Sequence, residues 1–414
     1  MVDKNLFLHD LAVVAILKNE APYLKEWIDY YLAAGVDHFY LYDNDSPDNQ
    51  REVAAPYVKA GLVDYFSMPG KAMQYIAYSD AVNRFKFQCR YMTFIDGDEF
   101  IYPKTNRNIV EVVDEILSHA PNAAGLAIHW QCFGSNGHDK ADYSRGVLER
   151  FTRRAPSDWD TNKYIKTVAD PRKINFFNDP HAMIYFERFY SVDENLKPTM
   201  KSIPLPVTVD KIVINHYHCK SREEYAVKRG RGIADKITGS NYSDKQFESH
   251  DRNEEFDDGI LKYRAERMKT YQPPDKSHAD ERLFNALTKN LSPILVPSTP
   301  KDFYRGKMET FLTCRAVAAY LQTKLTDSVV AKDLEEAALK ATLRAIQGMT
   351  LADARLFLRE LPKLLSLPYP AVKDIRKAAL NIIPQLMNVM HLNRMWRDFA
   401  ELNYTQDLLK IFKE

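Results

Sequence analysis

Two aspartates separated by one glycine, Asp96-Gly97-Asp98, stand directly after the apolar run Tyr91-Met92-Thr93-Phe94-Ile95. Carboxylates spaced i, i+2 at the end of an extended segment can hold a divalent cation, one on the metal and the other on metal or ribose. Such a cation neutralises the charge that builds on a diphosphate as it leaves. Glycine between the two permits close approach of backbone and ligand. A polar turn after a buried strand would carry the same residues, so the pattern gains meaning from its position. A second Asp-x-Asp, Asp43 and Asp45, follows another short apolar run. Asp45-Ser46-Pro47-Asp48 has turn and helix-capping chemistry of its own. That leaves Asp43 as a candidate hydrogen-bond acceptor for a base or ribose.

His216 and His218 share one face of a strand-like stretch from Lys211 to His218, because side chains alternate with period two. Imidazole can complete a metal shell otherwise made of carboxylate and phosphate. Ser221-Arg222-Glu223-Glu224 matches a capping box, so a helix begins at once. Lys220, Arg222, Lys228, Arg229 and Arg231 cluster around it. A helix N-terminus with such cations suits a diphosphate, and a solvated basic face is the plainer alternative. Lys166 and His181 are further candidates for the same anionic pocket. Trp130, Phe133 and His138 flank a glycine-containing loop and offer an aromatic platform for an acceptor, unless Trp130 is core. An inverting displacement needs a carboxylate base near the attacking hydroxyl. Asp139, Glu149 and Asp179 are all candidates, and the sequence does not choose among them.

These residues are placed by strands alternating with helices over the first 130 positions. Leu11–Leu17 is wholly apolar, as a strand covered on both faces must be. A helix through Glu26–Leu32 stops at Gly35. Further strands follow at His38–Tyr42, Leu62–Phe66 and Tyr91–Ile95, with a helix over Met73–Phe87. The pattern predicts an α/β fold with a mainly parallel sheet and helices on both faces. Ligands of such sheets bind beyond the carboxyl ends of the strands. Asn19 and Glu20, Asp43 and Asp45, and Asp96 and Asp98 all fall there, so three polar clusters gather on one edge. The α/β region is read as residues 1–240. A polar stretch over 241–300, punctuated by Pro273, Pro274, Pro293, Pro297 and Pro300, reads as a connector. Residues 301–414 read as a separate all-helical C-terminal domain.

A chain of 414 residues is long enough for more than one core. Its net charge of +1 supplies no global field for nucleic acid. Cys89, Cys132, Cys219 and Cys314 are scattered, which argues against a zinc knuckle and against a disulfide framework. No window approaches 18 uninterrupted apolar residues and no leader is evident, so a cytoplasmic location without a transmembrane segment is expected. Peripheral attachment to the inner face of a membrane stays open.

Taken in order, Val13–Glu20 with Glu26-Trp27, Tyr42–Ser46, Phe94–Phe100, Trp130-x-x-Phe133-Gly134-Ser135 and Asn215–Ser221 resemble GT-A-type glycosyltransferases of the family-2-like and family-92-like group. The resemblance spans roughly residues 11–232. It implies a GT-A (Rossmann-like) fold, a UDP-sugar donor, and Mn²⁺ or Mg²⁺ held at Asp98 with help from Asp96. It implies inversion, with galactose the favoured hexose. By the same resemblance Asn19, Glu20 and Asp43 contact the nucleotide, and His216 is the late metal or diphosphate ligand. The acceptor would be a glycan or lipid-linked glycan, and the form would be a cytosolic bacterial one acting on surface-polysaccharide precursors. Two other readings compete. A nucleotidyltransferase would show a glycine-rich phosphate loop after the first strand, and Lys18-Asn19-Glu20-Ala21-Pro22 is not one. A non-catalytic carbohydrate- or partner-binding protein on a degenerate transferase fold would have no need of intact Asp96 and Asp98.

Overall fold

A computed structural model describes residues 7–86, 88–177, 179–186, 189–199, 201–204, 206–230 and 243–274. The expected C-terminal helical domain therefore lies outside the described residues. By internal contacts the chain divides into two units. The first comprises Met1–Lys4, His9–Val82 and Cys89–Ser277; the second takes Asn5–Leu8, Asn83–Gln88 and His278–Glu414.

In chain order the elements are β1 (His9–Leu17), α1 (Ala21–Ala33), β2 (His38–Asp43), α2 (Gln50–Lys59), β3 (Val63–Ser67), α3 (Gln74–Phe85) and β4 (Cys89–Phe94). There follow β5 (Glu99–Pro103), α4 (Ile109–Ser118), β6 (Ala123–Cys132), α5 (Val147–Arg150), β7 (Arg153–Arg154), β8 (Ile165–Ala169), β9 (Ile174–Phe177) and β10 (Met183–Tyr185). The last are β11 (Tyr190–Val192), β12 (Pro198–Thr199), β13 (Ile212–His216), α6 (Arg222–Gly230), α7 (Asp244–His250), β14 (Glu255–Phe256) and α8 (Gly259–Thr270).

The apolar run of β1 is buried on both faces. Leu11, Val13, Ala15 and Leu17 join a core with Trp27, Ile28 and Tyr31 of α1. On the opposite face, α3 brings Tyr78 against Phe94 and Asp80 to the Tyr42 hydroxyl. Helices thus cover both faces, as the alternation predicts. The main sheet runs β12-β11-β6-β8-β4-β1-β2-β3. β3, β2, β1 and β4 are all parallel, and β8 is inserted antiparallel between β4 and β6. The sheet is mixed and mainly parallel, the arrangement expected of a GT-A fold.

β13 then pairs parallel with the end of β6 and antiparallel with β5, setting His216 opposite Glu99. The outer side of β5 is closed by aromatic residues of α1. Trp27 Nε1 and the Tyr31 hydroxyl both donate to the Glu99 carbonyl, at 3.0 Å each, and Ile101 N donates back to the Tyr31 hydroxyl at 2.9 Å. These side chains satisfy backbone groups that a missing strand would leave orphaned. They also fix the chain immediately after Asp98.

The polar stretch that reads as a connector from residue 241 carries α7, β14 and α8 over its described part. β14 pairs with β7, α8 packs on α1, and Asp251 and Asn253 accept from the backbone of Ser135 and Asn136. Gly134 is glycine because a Cβ there would meet the Arg252 carbonyl at 2.4 Å. Apolar anchors are few and widely spaced here, with Phe247 packed on Tyr225 and Ile260 and Tyr263 joining the main core, so hydrogen bonds and isolated apolar contacts attach the stretch together.

The capping box at α6 is formed as its residues predict. Ser221 N donates to Glu224 Oε2 at 3.0 Å, and Glu224 N donates to Ser221 Oγ at 3.2 Å. Glu224 also receives both Arg150 guanidinium nitrogens at 2.8 and 2.9 Å and the Tyr23 hydroxyl at 2.9 Å. One buried carboxylate therefore ties α1, α5 and α6 together. Burial alone would raise its pKa, but Arg150 and Ser221 outweigh that and hold it at about 2. Its stabilisation is complete above the ordinary value of 4.5 and fades as pH falls towards about 2. Arg150→Met strands the carboxylate and should cost about 3–5 kcal/mol of unfolding free energy in urea at pH 7. The difference from wild type should shrink on acidification and be smallest near pH 2. A difference independent of pH would contradict this account.

Candidate active site

The parallel register of β1, β2 and β4 brings their carboxyl ends together. Asn44 N donates to the Leu17 carbonyl at 2.9 Å, and Ile95 N donates to the Val14 carbonyl at 3.2 Å. Asn19, Asp43 and Asp96 consequently share one edge. Asn19 adopts a left-handed backbone, φ 55°, which asparagine tolerates better than most residues. Its Oδ1 is buried without a hydrogen-bond partner. Glu20 is buried at the start of α1, its backbone N–H donating to Gln50 Oε1 at 3.0 Å. Asp43 Oδ1 accepts from Ser46 N at 3.0 Å, closing a turn. Gly97 has a structural reason beyond ligand approach, because a Cβ there would meet Leu17 Cδ2 at 3.0 Å and Glu20 Cγ at 3.3 Å.

The two aspartates of the motif face different partners. Asp96 accepts from Lys166 Nζ at 3.0 Å and from Gln74 Nε2 at 3.0 Å, while its own N–H donates to Glu99 Oε2 at 2.8 Å. Asp98 is buried and turns the other way. Its backbone carbonyl accepts from Tyr217 N at 2.9 Å, locking the motif to the end of β13. Its carboxylate lies 2.6 Å from Lys228 Nζ and 3.6 Å from His216 Nε2. Asp98, His216 and His218 each offer one ligand atom, and these atoms lie within 4.8 Å of one another.

A carboxylate and two imidazoles converging in this way fit a divalent cation. The Lys228 ammonium, a stand-in cation at hydrogen-bond distance from both Asp98 and His218, marks the same locus as one that takes positive charge. Burial would raise the Asp98 pKa, but Lys228 and then His216 outweigh it and hold the carboxyl well below the usual range. Burial pushes both histidines below the ordinary imidazole value, assisted at His218 by the Lys228 charge. Both rings are therefore neutral at pH 7 and keep lone pairs for a metal.

Several residues singled out in the sequence have protein partners of their own here. Asp96 is absent from the converging ligand set, because Lys166 and Gln74 hold its carboxylate elsewhere. Lys166 is 1% exposed and is engaged by Asp96, by Glu99 at 3.7 Å and by the Pro180 carbonyl at 3.2 Å, so it stands in a buried ion network. The start of α6 is no open anion site. Arg222 N donates to the His138 carbonyl at 3.1 Å and Glu223 N to the Asp139 carbonyl at 3.0 Å, and Ser221 serves Glu224 and Tyr225. Arg222 itself is half exposed and lies over the Phe247 ring. Lys220 is buried with its ammonium 4.2 Å from the Tyr23 ring centroid.

Phe133 is 1% exposed and packs on Tyr217, so its ring has no face for an acceptor. His138 stands edge-on to Phe151 and contributes its carbonyl to α6. Trp130 is different. It is buried at 4.2 Å from the His216 ring and 5.0 Å from the His181 ring, and its indole N–H makes no hydrogen bond. Of the three base candidates, Asp139 is 83% exposed beside Arg222, and Glu149 is exposed and held by Arg264. Asp179 accepts from His181 N at 2.7 Å, which sets it on the Trp130 and Lys166 side of the site.

Sequence reasoning counted Lys228 only among the cations around α6 and did not set it on Asp98, because a lysine in a basic helix reads as solvated. It also passed over Glu99, 0% exposed, whose pKa burial pushes well up against the pull of Lys166, and His250, whose ring lies 5.2 Å from that of His218. The adjacency of Glu99 to the aspartate motif was the available signal for it. Lys166→Met separates the two roles open to that lysine. Loss of its charge from beside Asp96 and Glu99 should cost about 3–5 kcal/mol in urea unfolding. Unchanged stability with weakened nucleotide binding would instead mark a phosphate contact.

The chain matches Glycosyltransferase family 92 over residues 13–266. A glycosyltransferase family 92 protein of Ricinus communis is 25% identical over 228 residues, 55% of this chain and 38% of that protein. One of Oryza sativa subsp. japonica is 27% identical over 227 residues, covering 55% and 36%. The chain thus spans little more than a third of the length of these relatives. Among solved structures, S. aureus TarS 1–349 in complex with UDP aligns with 80% of this chain and 88% of its own, at 12% identity and a TM-score of 0.32. No helix among the described residues is long and apolar enough to cross a membrane. The match to the family model covers more than half of the chain, and it carries the resemblance seen in the ordered motifs: this protein belongs to glycosyltransferase family 92.

Proposed function

We propose that the chain transfers a hexosyl group, galactose favoured by the family resemblance, from a UDP-sugar to a glycan acceptor with inversion. The observation that carries this reading is the convergence of Asp98, His216 and His218 at the carboxyl edge of the sheet in a chain of this family. A cation bound there would neutralise charge on the departing diphosphate. Two imidazoles among three protein donors suit Mn²⁺ better than Mg²⁺, which favours an octahedron of oxygens.

Each residue then has a stated task. Asn19 Oδ1, a buried acceptor with no hydrogen-bond partner, and Asp43 receive the base or ribose beyond β1 and β2. Asp96, steadied by Lys166 and Gln74, faces the ribose side, while Asp98 with the two histidines faces the diphosphate. The Trp130 ring, buried against His216 and His181, backs the acceptor side of the site from within the core. Asp179 takes the proton of the attacking hydroxyl, its position beside His181 favouring it over Asp139 and Glu149.

Calorimetric titration of UDP-, GDP- and CMP-sugars, each with Mn²⁺ and with chelator, tests this assignment. One UDP-hexose should bind, and only with metal. Asp98→Asn should weaken that binding by at least about a hundredfold, since even residues behind metal ligands cost 10–100-fold when altered. Equal binding with and without metal, or preference for another nucleotide, would overturn the reading.

A further inference from the structure

Lys228 has no place in the reaction just described, yet it stands at its centre. Nζ lies 2.6 Å from Asp98 Oδ2, 3.2 Å from His218 Nδ1 and 3.2 Å from the His218 carbonyl oxygen. All three acceptors belong to residues of the converging ligand set, and two of them are side-chain atoms. An ammonium directs three N–H bonds at three lone pairs, and so does for these atoms what a metal ion would do. The carboxylate needs it, because a buried anion without a cation is severely destabilised.

A divalent ion on Asp98 Oδ2 or His218 Nδ1 would need a lone pair that Nζ now uses, and bound through another donor atom of these residues it would place a second positive charge close to Nζ. Either way the two cations compete at this locus. The helix itself is poorly placed to yield, since α6 is pinned through Glu224, one turn before Lys228, to Arg150, Ser221 and Tyr23. The four-carbon stem of the lysine is the part free to rotate.

We propose that Lys228 is a resident counter-cation which a divalent metal must displace from Asp98 and His218, so that metal loads together with the anionic donor, whose diphosphate takes over the released ammonium. This rests on the metal-site reading above and adds a control on loading. It also separates the two cations in time: lysine guards the carboxylate in the resting chain, and metal replaces it when nucleotide arrives.

The test is Mn²⁺ binding to the full chain without nucleotide, followed by calorimetry and by loss of the free-ion EPR signal. Wild type, Lys228→Met and Lys228→Gln are compared, each also carrying Asp98→Asn. If the lysine occupies the site about nine-tenths of the time, removing it should tighten Mn²⁺ binding by at least about tenfold. UDP should tighten Mn²⁺ binding in wild type and do so less in either lysine variant. Thermal melting supplies a readout independent of activity: both variants should melt lower than wild type in chelator and be restored by Mn²⁺, whereas wild type should shift little. Equal or weaker Mn²⁺ binding in the lysine variants, still abolished by Asp98→Asn, would overturn the displacement proposal and leave the metal site standing. Binding that survives Asp98→Asn, or is absent from every variant, would overturn both.

Discussion

A carboxylate buried at the edge of a sheet must be met by positive charge or by a metal, and the architecture around Asp98 is organised by that requirement. Its side chain is 6% exposed, in surroundings where an isolated charge is untenable. The chain answers with a strand, β13, that ends at His216 opposite the start of β5, and with a helix that returns Lys228 to within hydrogen-bond reach. Neither could arrive without remote support. The aromatic residues of α1 hold β5 from outside, and the Glu224 carboxylate holds the first turn of α6. Stability and site geometry therefore rest on the same few contacts.

The same logic explains why one short motif supplies two unlike carboxylates. Asp96 and Asp98 are two positions apart, with Gly97 pressed against Leu17 and Glu20. Asp96 is drawn into a network with Lys166, Gln74 and Glu99, and its orientation is set by protein groups. Asp98 is left to face two neutral imidazoles and the ammonium of Lys228. The first arrangement is rigid and already compensated. The second is the arrangement in which, as proposed above, one cation gives way to another when a diphosphate enters.

The strands that carry the site were readable because β1, β2 and β4 are continuous apolar runs ending in polar clusters, a pattern few other structures produce. The capping box of Ser221 and Glu224 was equally local and formed as read. What escaped was long-range. Nothing in Ile165–Ala169 announces that it enters antiparallel between β4 and β6, and that insertion is what delivers Lys166 to Asp96. Phe133 and Trp130 look alike in sequence and both join the core, yet packing sets one on Tyr217 and the other beside His216. Residues 243–274 read as a connector because their apolar anchors, Phe247, Ile260 and Tyr263, are too sparse for hydrophobic periodicity to register, and the contacts through Asp251, Asn253 and Asp257 are polar. Lys228 was legible only as one cation of a basic cluster, since a helix lysine is ordinarily solvated, and only the tertiary fold reveals a buried carboxylate at its tip.

Anomalous diffraction from crystals grown with Mn²⁺ and UDP would test the central claim most directly. The account predicts one manganese peak within coordination distance of Asp98, His216 and His218, with Lys228 Nζ withdrawn from Asp98. A peak beside Asp43 and Asp45, or UDP bound with no metal at Asp98 and Lys228 still in place, would contradict it.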